Sequence, residues 1–119
     1  MAVEKYAAEC DYLGLVSAND VPNKLEKAGF HTEKSEFVDA PVIKELPMAI
    51  ECRLKSYDSE TGHLFADIVN VSADESVLSD DGNIDIEKLS PITFDCTNNA
   101  YIALGKKVGN AFADGKKLK

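Results

Sequence analysis

The sequence predicts a small α+β domain, mainly β with helices, built around an antiparallel β-hairpin. Residues 48–57 alternate apolar with charged or small side chains, which is typical of a strand with one solvated face. Residues 63–72 resume a strand after the turn cluster at 58–62, so a hairpin is the simplest connection between the two. Apolar residues at three- and four-residue steps over residues 3–13 predict a helix.

The second hairpin strand has an unusual pattern. Leu64 and Ile68 lie on one predicted face, whereas Phe65, Val69 and Val71 lie on the other. A strand that is apolar on both faces is normally covered on both faces. We therefore expect this strand to be buried.

The segment between the first helix and the hairpin contains short elements. Asp20 as N-cap, Pro22 in the first turn and Gly29 after the last turn predict a second, short helix. Pro41 and Pro47 bracket a connector that cannot be one regular helix.

The C-terminal third is predicted to mix helix and strand. Residues 85–89 fit one capped helical turn, residues 92–94 a short strand, and residues 98–99 a turn. Residues 101–115 carry apolar side chains at helical spacing, interrupted by two glycines. They predict a helix or a broken helix.

Length and charge limit the classes of protein. The 119 residues suggest one domain, and 45% hydrophobic residues argue against disorder. A net charge of −8 argues against nucleic-acid binding, which needs a basic face. No apolar run approaches the roughly 20 residues needed to span a bilayer. The N-terminus has no basic start followed by an apolar stretch, so a cytoplasmic location is expected.

The cysteines and histidines do not form a metal or redox motif. Cys10, Cys52 and Cys96 include no CxxC pair, and His31 and His63 lie far apart in sequence. We expect three reduced, buried thiols and no transition-metal site.

An acidic stretch at residues 74–89 resembles part of a calcium-binding loop. If Gly82 takes the sixth position, the first and twelfth positions fall on Val77 and Lys88, where carboxylates are required. Residues 80–82 are therefore interpreted as a turn.

Positive charge collects at the C-terminal end. Residues 105–119 hold five lysines and one aspartate, a net charge of +4, so the other 104 residues carry −12. This segment is either a solvated tail or a surface that attracts a phosphate or an acidic patch on a partner subunit.

Four segments of the chain carry motifs in a fixed order. They are DYLGLVSANDVPNK (11–24), VDAPVI with LPMAIEC (38–43 and 46–52), GHLF leading into IV (62–65 and 68–69), and GNID with LSPI, followed by Tyr101, LG and VG (82–85, 89–92 and 101–109). Together they cover about residues 8–118 and resemble the flavin reductase-like family, specifically its flavoredoxin branch.

The resemblance implies a split β-barrel that binds FMN non-covalently, often in a homodimer with the flavin near the subunit interface. It also implies NAD(P)H-dependent flavin reduction, or electron transfer through bound FMN to a redox partner protein. No catalytic residue is assigned. By the resemblance, the cofactor-binding positions are Ser17, Asn19, Asp20, Lys24, His63 and Phe94.

Three of these assignments have a plainer alternative. Without the resemblance, Lys24 is a solvated lysine, His63 a residue at the hairpin end, and Phe94 a core side chain. The sequence also departs from the family, because Ala18 replaces a glycine and Asn19 stands where a basic residue is common.

The match lacks the strands that precede it in family members. The resemblance therefore implies a single domain, residues 1–119, that is N-terminally truncated relative to the family, with a barrel that one chain leaves incomplete. Open strand edges favour association, so a non-catalytic, dimerising interaction module without flavin is the alternative function.

Overall fold

A computed structural model describes all 119 residues and confirms a mainly β architecture with short helices. The strands pair as three separate two-stranded antiparallel sheets, and no closed barrel forms. None of the helices has the length and apolarity that crossing a membrane requires. The elements are α1 (Ala7–Leu15), α2 (Lys24–Lys27), β1 (Thr32–Lys34), β2 (Pro41–Ile43), β3 (Met48–Tyr57), β4 (Leu64–Ala73), α3 (Ile86–Leu89), β5 (Ile92–Asp95) and β6 (Ala100–Ala103), with 3₁₀ turns at Glu4–Tyr6, Glu75–Val77 and Asp114–Leu118.

The hairpin of β3 and β4 confirms both predicted strands and contains two bulges. Its register is interrupted between Glu51 and Cys52, and again between Leu54 and Ser56. Val69 is the extra residue at the first interruption and Lys55 at the second. A bulge places two residues opposite one, so the alternation of side chains is shifted beyond it.

The shift at Val69 brings apolar side chains onto one face of the hairpin. Cross-strand partners project to the same side and successive pairs alternate, so Val71 lies on the face of Leu64 and Ile68. The prediction of two apolar faces is therefore wrong. The apolar face consists of the pairs Tyr57–Leu64, Leu54–Ala66, Cys52–Ile68, Ile50–Val71 and Met48–Ala73.

The opposite side, here called the polar face, carries most of the hairpin's charge. Arg53 pairs with Asp67 in the ladder, and the Lys55 ammonium lies 3.4 Å from the Asp67 carboxylate. Phe65 is the large apolar side chain of this face, opposite Ser56. This side is suited to water.

A small core lies at one end of the hairpin. Val3, Val77 and Leu89 are fully buried, and Met48 and Ala73 from the end of the apolar face pack against them. The other members of this packing are Tyr6, Leu46 and Ile84.

Beyond that end, the chain leaves its hairpin uncovered. Leu64 and Ile68 of β4 are 60% and 65% exposed, contrary to the expectation that this second strand is buried. Leu54 of β3 is 59% exposed. The accessible surface is 9171 Å², against about 6,300 Å² for a folded monomer of this mass. The radius of gyration is 17.1 Å, against about 13.5 Å for a compact domain of this length.

The acidic turn and the helical turn after it agree with the predictions. Gly82 has a φ of 80°, and the turn closes where the Asn83 side chain donates to Asp81 at 2.8 Å. The Asp85 carboxylate then caps α3 by accepting from the amides of Glu87 and Lys88 at 2.9 and 3.2 Å.

The predicted helix at 101–115 is wrong. Residues 100–103 form β6, which pairs with β5 across the predicted turn, where Asn99 adopts a φ of 51°. The cross-strand contact of Phe94 with Tyr101 favours the hairpin over the helical spacing. After Leu104 the chain has no regular element until the final 3₁₀ turn.

Two smaller predictions also need correction. The second helix begins at Lys24 with Asn23 as its N-cap, and Asp20 lies in the preceding turn. All three thiols are free, but Cys52 and Cys96 are exposed because each sits on a hairpin that the chain does not cover.

A buried polar contact fixes the loop after β1. The Ser35 hydroxyl donates to the Glu51 carboxylate and accepts the amides of Phe37 and Val38 at 3.1 and 3.0 Å. Asn70 adds a second hydrogen bond to Glu51 at 3.1 Å. These bonds, Ser35 first, hold the pKa of Glu51 below its ordinary value.

Replacing the hydroxyl tests this contact. Ser35→Ala removes one donor and one acceptor from a buried site, so we expect the free energy of unfolding to fall by about 1–3 kcal/mol in urea denaturation at pH 7. Ser59→Ala, at an exposed hairpin-turn position without side-chain hydrogen bonds, is the control. A lowered carboxylate pKa contributes its full stability above the unfolded value of 4.5 and loses it as the pH falls from there through the lower folded pKa, so the deficit should shrink below pH 4.5. An equal effect of both substitutions would contradict the account.

Candidate functional site

Lys24 closes the C-terminal end of α1. Its ammonium donates to the backbone carbonyls of Leu13 and Val16, both at 2.8 Å. The last carbonyls of a helix lack intrahelical partners and carry partial negative charge, so a lysine stabilises them. In this conformation the charge of Lys24 is directed at the backbone of its own chain.

The loop between α1 and α2 is closed on Ser17. The amide of Asn19 donates to the Ser17 hydroxyl at 3.1 Å, while the amides of Asp20 and Val21 donate to the Ser17 carbonyl at 3.2 and 2.9 Å. Three successive amides of this segment are therefore engaged within the chain. Asp20 adds a negative charge to the same loop.

Phe94 and Tyr101 form an aromatic pair on the β5–β6 hairpin. Their ring centroids lie 5.7 Å apart at 56°, and the two side chains are 56% and 44% exposed. The Tyr101 hydroxyl donates to Asp11 on α1 at 2.9 Å, and this bond raises the pKa of Tyr101. An accessible aromatic surface is thereby attached to the helix whose end Lys24 closes.

Tyr101 and Asp11 are functional candidates that sequence reasoning missed. Tyr101 was assigned to a helix, so its position across the ladder from Phe94 was not foreseen. The Asn98–Asn99 turn was the available signal, because a turn at that place sets the two residues opposite each other.

His63 lies apart from the other candidate residues. It is exposed at the tip of the β3–β4 hairpin, where its carbonyl accepts the Asp58 amide at 2.9 Å. No hydrogen bond or aromatic contact joins it to the α1–α2 loop or to Phe94. The structure thus connects five of the six predicted residues through α1 and the loop that follows it, and leaves His63 at a separate place.

Two clefts of the chain are lined by residues other than the six candidates. One of about 580 Å³ lies between the N-terminal segment, the Glu75–Val77 turn and α3. Its polar groups are mostly engaged, since Lys88 donates to the Leu78 carbonyl at 2.7 Å and Ser90 donates to Glu4 at 2.8 Å. A second, mainly apolar cleft of about 360 Å³ lies beside β2 and the start of β3. No group of three or more His, Cys, Asp or Glu side chains is placed to hold a metal ion.

Comparison with known proteins shows which proteins share this fold. No family model matches the sequence. The flavoredoxin of Desulfovibrio vulgaris (Miyazaki F) superposes with a TM-score of 0.88 and 34% identity, over 97% of this chain and 62% of its own. Flavoredoxin from Methanosarcina acetivorans superposes with a TM-score of 0.83 and 28% identity, over 99% of this chain and 62% of its own. An uncharacterized protein of Aquifex aeolicus is 32% identical over 83 residues, which are 66% of this chain and 42% of that protein. The chain therefore spans less than two thirds of the length of these relatives.

The candidate residues fit FMN only in part. The half-exposed Phe94–Tyr101 surface suits an apolar ring, which packs on aromatic side chains. The Ser17–Asp20 loop fits a phosphate poorly, because the amides of Asn19 and Asp20 and two hydrogens of the Lys24 ammonium already have partners within the chain. The role of each predicted residue toward a flavin remains a prediction.

The position of Lys24 predicts a stability effect that needs no ligand. Lys24→Met keeps the aliphatic stem but removes both hydrogen bonds to α1, so the free energy of unfolding should fall by about 1–2 kcal/mol in urea denaturation. Lys27→Met, at an exposed position of the same helix without such bonds, is the control. Equal stability of the two variants would show that Lys24 does not hold the helix end.

Proposed function

Because this chain has the fold of flavoredoxins and flavin reductase-like proteins, we propose that it is an FMN-binding redox protein. The similarity to the Desulfovibrio vulgaris flavoredoxin over 97% of the chain carries this proposal. Bound FMN would supply a ring that accepts and releases electrons, either for flavin reduction by NAD(P)H or for transfer to a redox partner protein. A cytoplasmic location is part of the same proposal.

In this proposal, Phe94 and Tyr101 pack against the apolar ring. The Asp11 carboxylate keeps the Tyr101 side chain in place, so Asp11 is a positioning residue. Two of the three ammonium hydrogens of Lys24 are engaged with the carbonyls of Leu13 and Val16, so one remains for a flavin. The phosphate is then held by groups other than the amides of Asn19 and Asp20, such as those of a second subunit.

A specific observation favours a second candidate function. The amides of Asn19 and Asp20 and two hydrogens of the Lys24 ammonium are engaged within the chain, while a large apolar surface is exposed. Both features suit a dimerising interaction module that binds no flavin. Uptake of FMN distinguishes the two functions, because the redox protein binds FMN and the interaction module does not.

Titration of FMN into the purified protein tests the proposed function. We expect quenching of flavin fluorescence at a defined stoichiometry, and Phe94→Ala should weaken binding by roughly tenfold through loss of ring packing. Phe37→Ala is the matched control, because Phe37 is 52% exposed and lies in a loop outside the candidate site. Absence of quenching would favour the interaction module, and equal weakening in both variants would remove Phe94 from the site.

A further inference from the structure

Two turns of the chain contain an aspartate followed by a glycine, at residues 81–82 and 114–115. This dipeptide can rearrange, because the glycine has no Cβ to obstruct its nitrogen from approaching the aspartate carboxyl carbon. All four residues are exposed, so access to water does not distinguish the two places. The hydrogen bonds that hold each turn do distinguish them.

The rearrangement releases one molecule of water and then takes one up. The glycine nitrogen forms a bond to the aspartate Cγ, and a carboxyl oxygen leaves as water with the amide proton and the carboxyl proton. Water then adds to the main-chain carbonyl carbon of the aspartate, and the bond from that carbon to nitrogen breaks. The chain now continues through Cγ as isoaspartate, so no reactant other than water is needed.

The acidic turn keeps both reacting groups of its dipeptide occupied. The Gly82 amide donates to the Ser79 carbonyl at 2.9 Å. The Asp81 carboxylate accepts from the Ser79 hydroxyl, and from the Asn83 side chain at 2.8 Å. These bonds, Ser79 first, lower the pKa of Asp81 and keep its carboxylate ionised, whereas the oxygen that leaves must be protonated. Attack at this turn therefore requires several hydrogen bonds to break first.

The turn that precedes Gly115 leaves the attacking group free. The Gly115 amide makes no hydrogen bond, and the Asp114 carboxylate accepts only one, from the Asn110 amide at 2.8 Å. Phe112 adopts a left-handed φ of 61°, which is unfavourable for a residue with a Cβ, whereas the acidic turn places Gly82 at a φ of 80°. The turn at 110–114 is therefore held by fewer bonds and carries more backbone strain.

We propose that Asp114 is a site of spontaneous isoaspartate formation and that the acidic turn protects Asp81 from the same reaction. The two sites share their dipeptide sequence and their exposure. The difference between them is the free Gly115 amide and the single bond that holds the Asp114 carboxylate. The proposal does not rest on flavin binding.

The modification would change the basic end of the chain. Isoaspartate adds one methylene group to the main chain and attaches the free carboxylate directly to Cα, so the side chain that accepts the Asn110 amide is lost. Lys116, Lys117 and Lys119 follow the modified position, while the net charge of +4 over residues 105–119 is unchanged. The reaction therefore alters the geometry of this basic segment without altering its charge.

Ageing of the native and the denatured protein tests the proposal. Samples are incubated at pH 7 with and without guanidinium chloride and digested with an endoproteinase that cuts before aspartate and not before isoaspartate, and the peptides are identified by mass spectrometry. In the native protein, isoaspartate at position 114 should accumulate at least tenfold faster than at position 81, because fewer bonds must break. In the denatured chain both turns are lost, so the two rates should agree within about threefold.

Two results of the ageing experiment overturn the proposal. One is comparable rates at positions 81 and 114 in the native protein. The other is no isoaspartate at position 114 of the native protein over a period in which the denatured chain reacts, since the native structure would then protect this site as well.

A substitution at the protected site provides a second test. Ser79→Ala removes the hydroxyl that donates to Asp81, so isoaspartate at position 81 should form several-fold faster while the rate at position 114 is unchanged. Ser59→Ala, at an exposed turn position without side-chain hydrogen bonds, is the control and should change neither rate. Urea denaturation shows whether each variant is folded. An unchanged rate at position 81 in folded Ser79→Ala overturns the protective role of the acidic turn.

Discussion

The bulge at Val69 is the constraint on which the rest of the structure depends. Without an extra residue at that point, Val71 would lie on the opposite side from Leu64 and Ile68, and the hairpin would be apolar in patches on both sides. With it, five cross-strand pairs form one uncharged surface. That surface joins the small core at Met48 and Ala73, so the chain's apolar content is concentrated in a single continuous layer.

This layer explains why so little of the chain is buried. Only seven of 119 residues are buried, because the chain contributes one side of a packing arrangement and provides no second side. The buried polar contact of Ser35 with Glu51 and the capping of α1 by Lys24 fix the surrounding loops, and their small contributions do not substitute for apolar packing. The same incompleteness affects the candidate site, which offers an aromatic surface for a flavin ring, while the amides of Asn19 and Asp20 in the neighbouring loop are engaged within the chain.

The sequence predicted the elements that depend on local pattern. The strand predicted at 48–57 has the bounds of β3, and the Asp85 cap and the Gly82 turn were recognisable from single positions. The resemblance to flavoredoxins was likewise readable from four ordered motifs, and the structural comparisons confirm it.

The failures involve contacts between residues distant in sequence or a change of register. The bulge at Val69 has no signature in periodicity, since a strand with a phase shift looks like a strand with two apolar faces. Tyr101 fitted a helical pattern, and only its pairing with Phe94 and its bond to Asp11 place it in a strand. Nothing in the sequence indicates that Lys24 would bind Leu13 and Val16, because a lysine on a short helix is usually solvated.

The dependence of thermal unfolding on protein concentration tests the central claim most directly. If the chain is the dimerising interaction module considered under the proposed function and the dimer covers its apolar face, dissociation accompanies unfolding, and the midpoint temperature must rise with concentration. We predict a steady increase across a hundredfold range of concentration. A cooperative transition whose midpoint does not change over that range would show that the single chain folds stably with its apolar face uncovered, and would contradict the account.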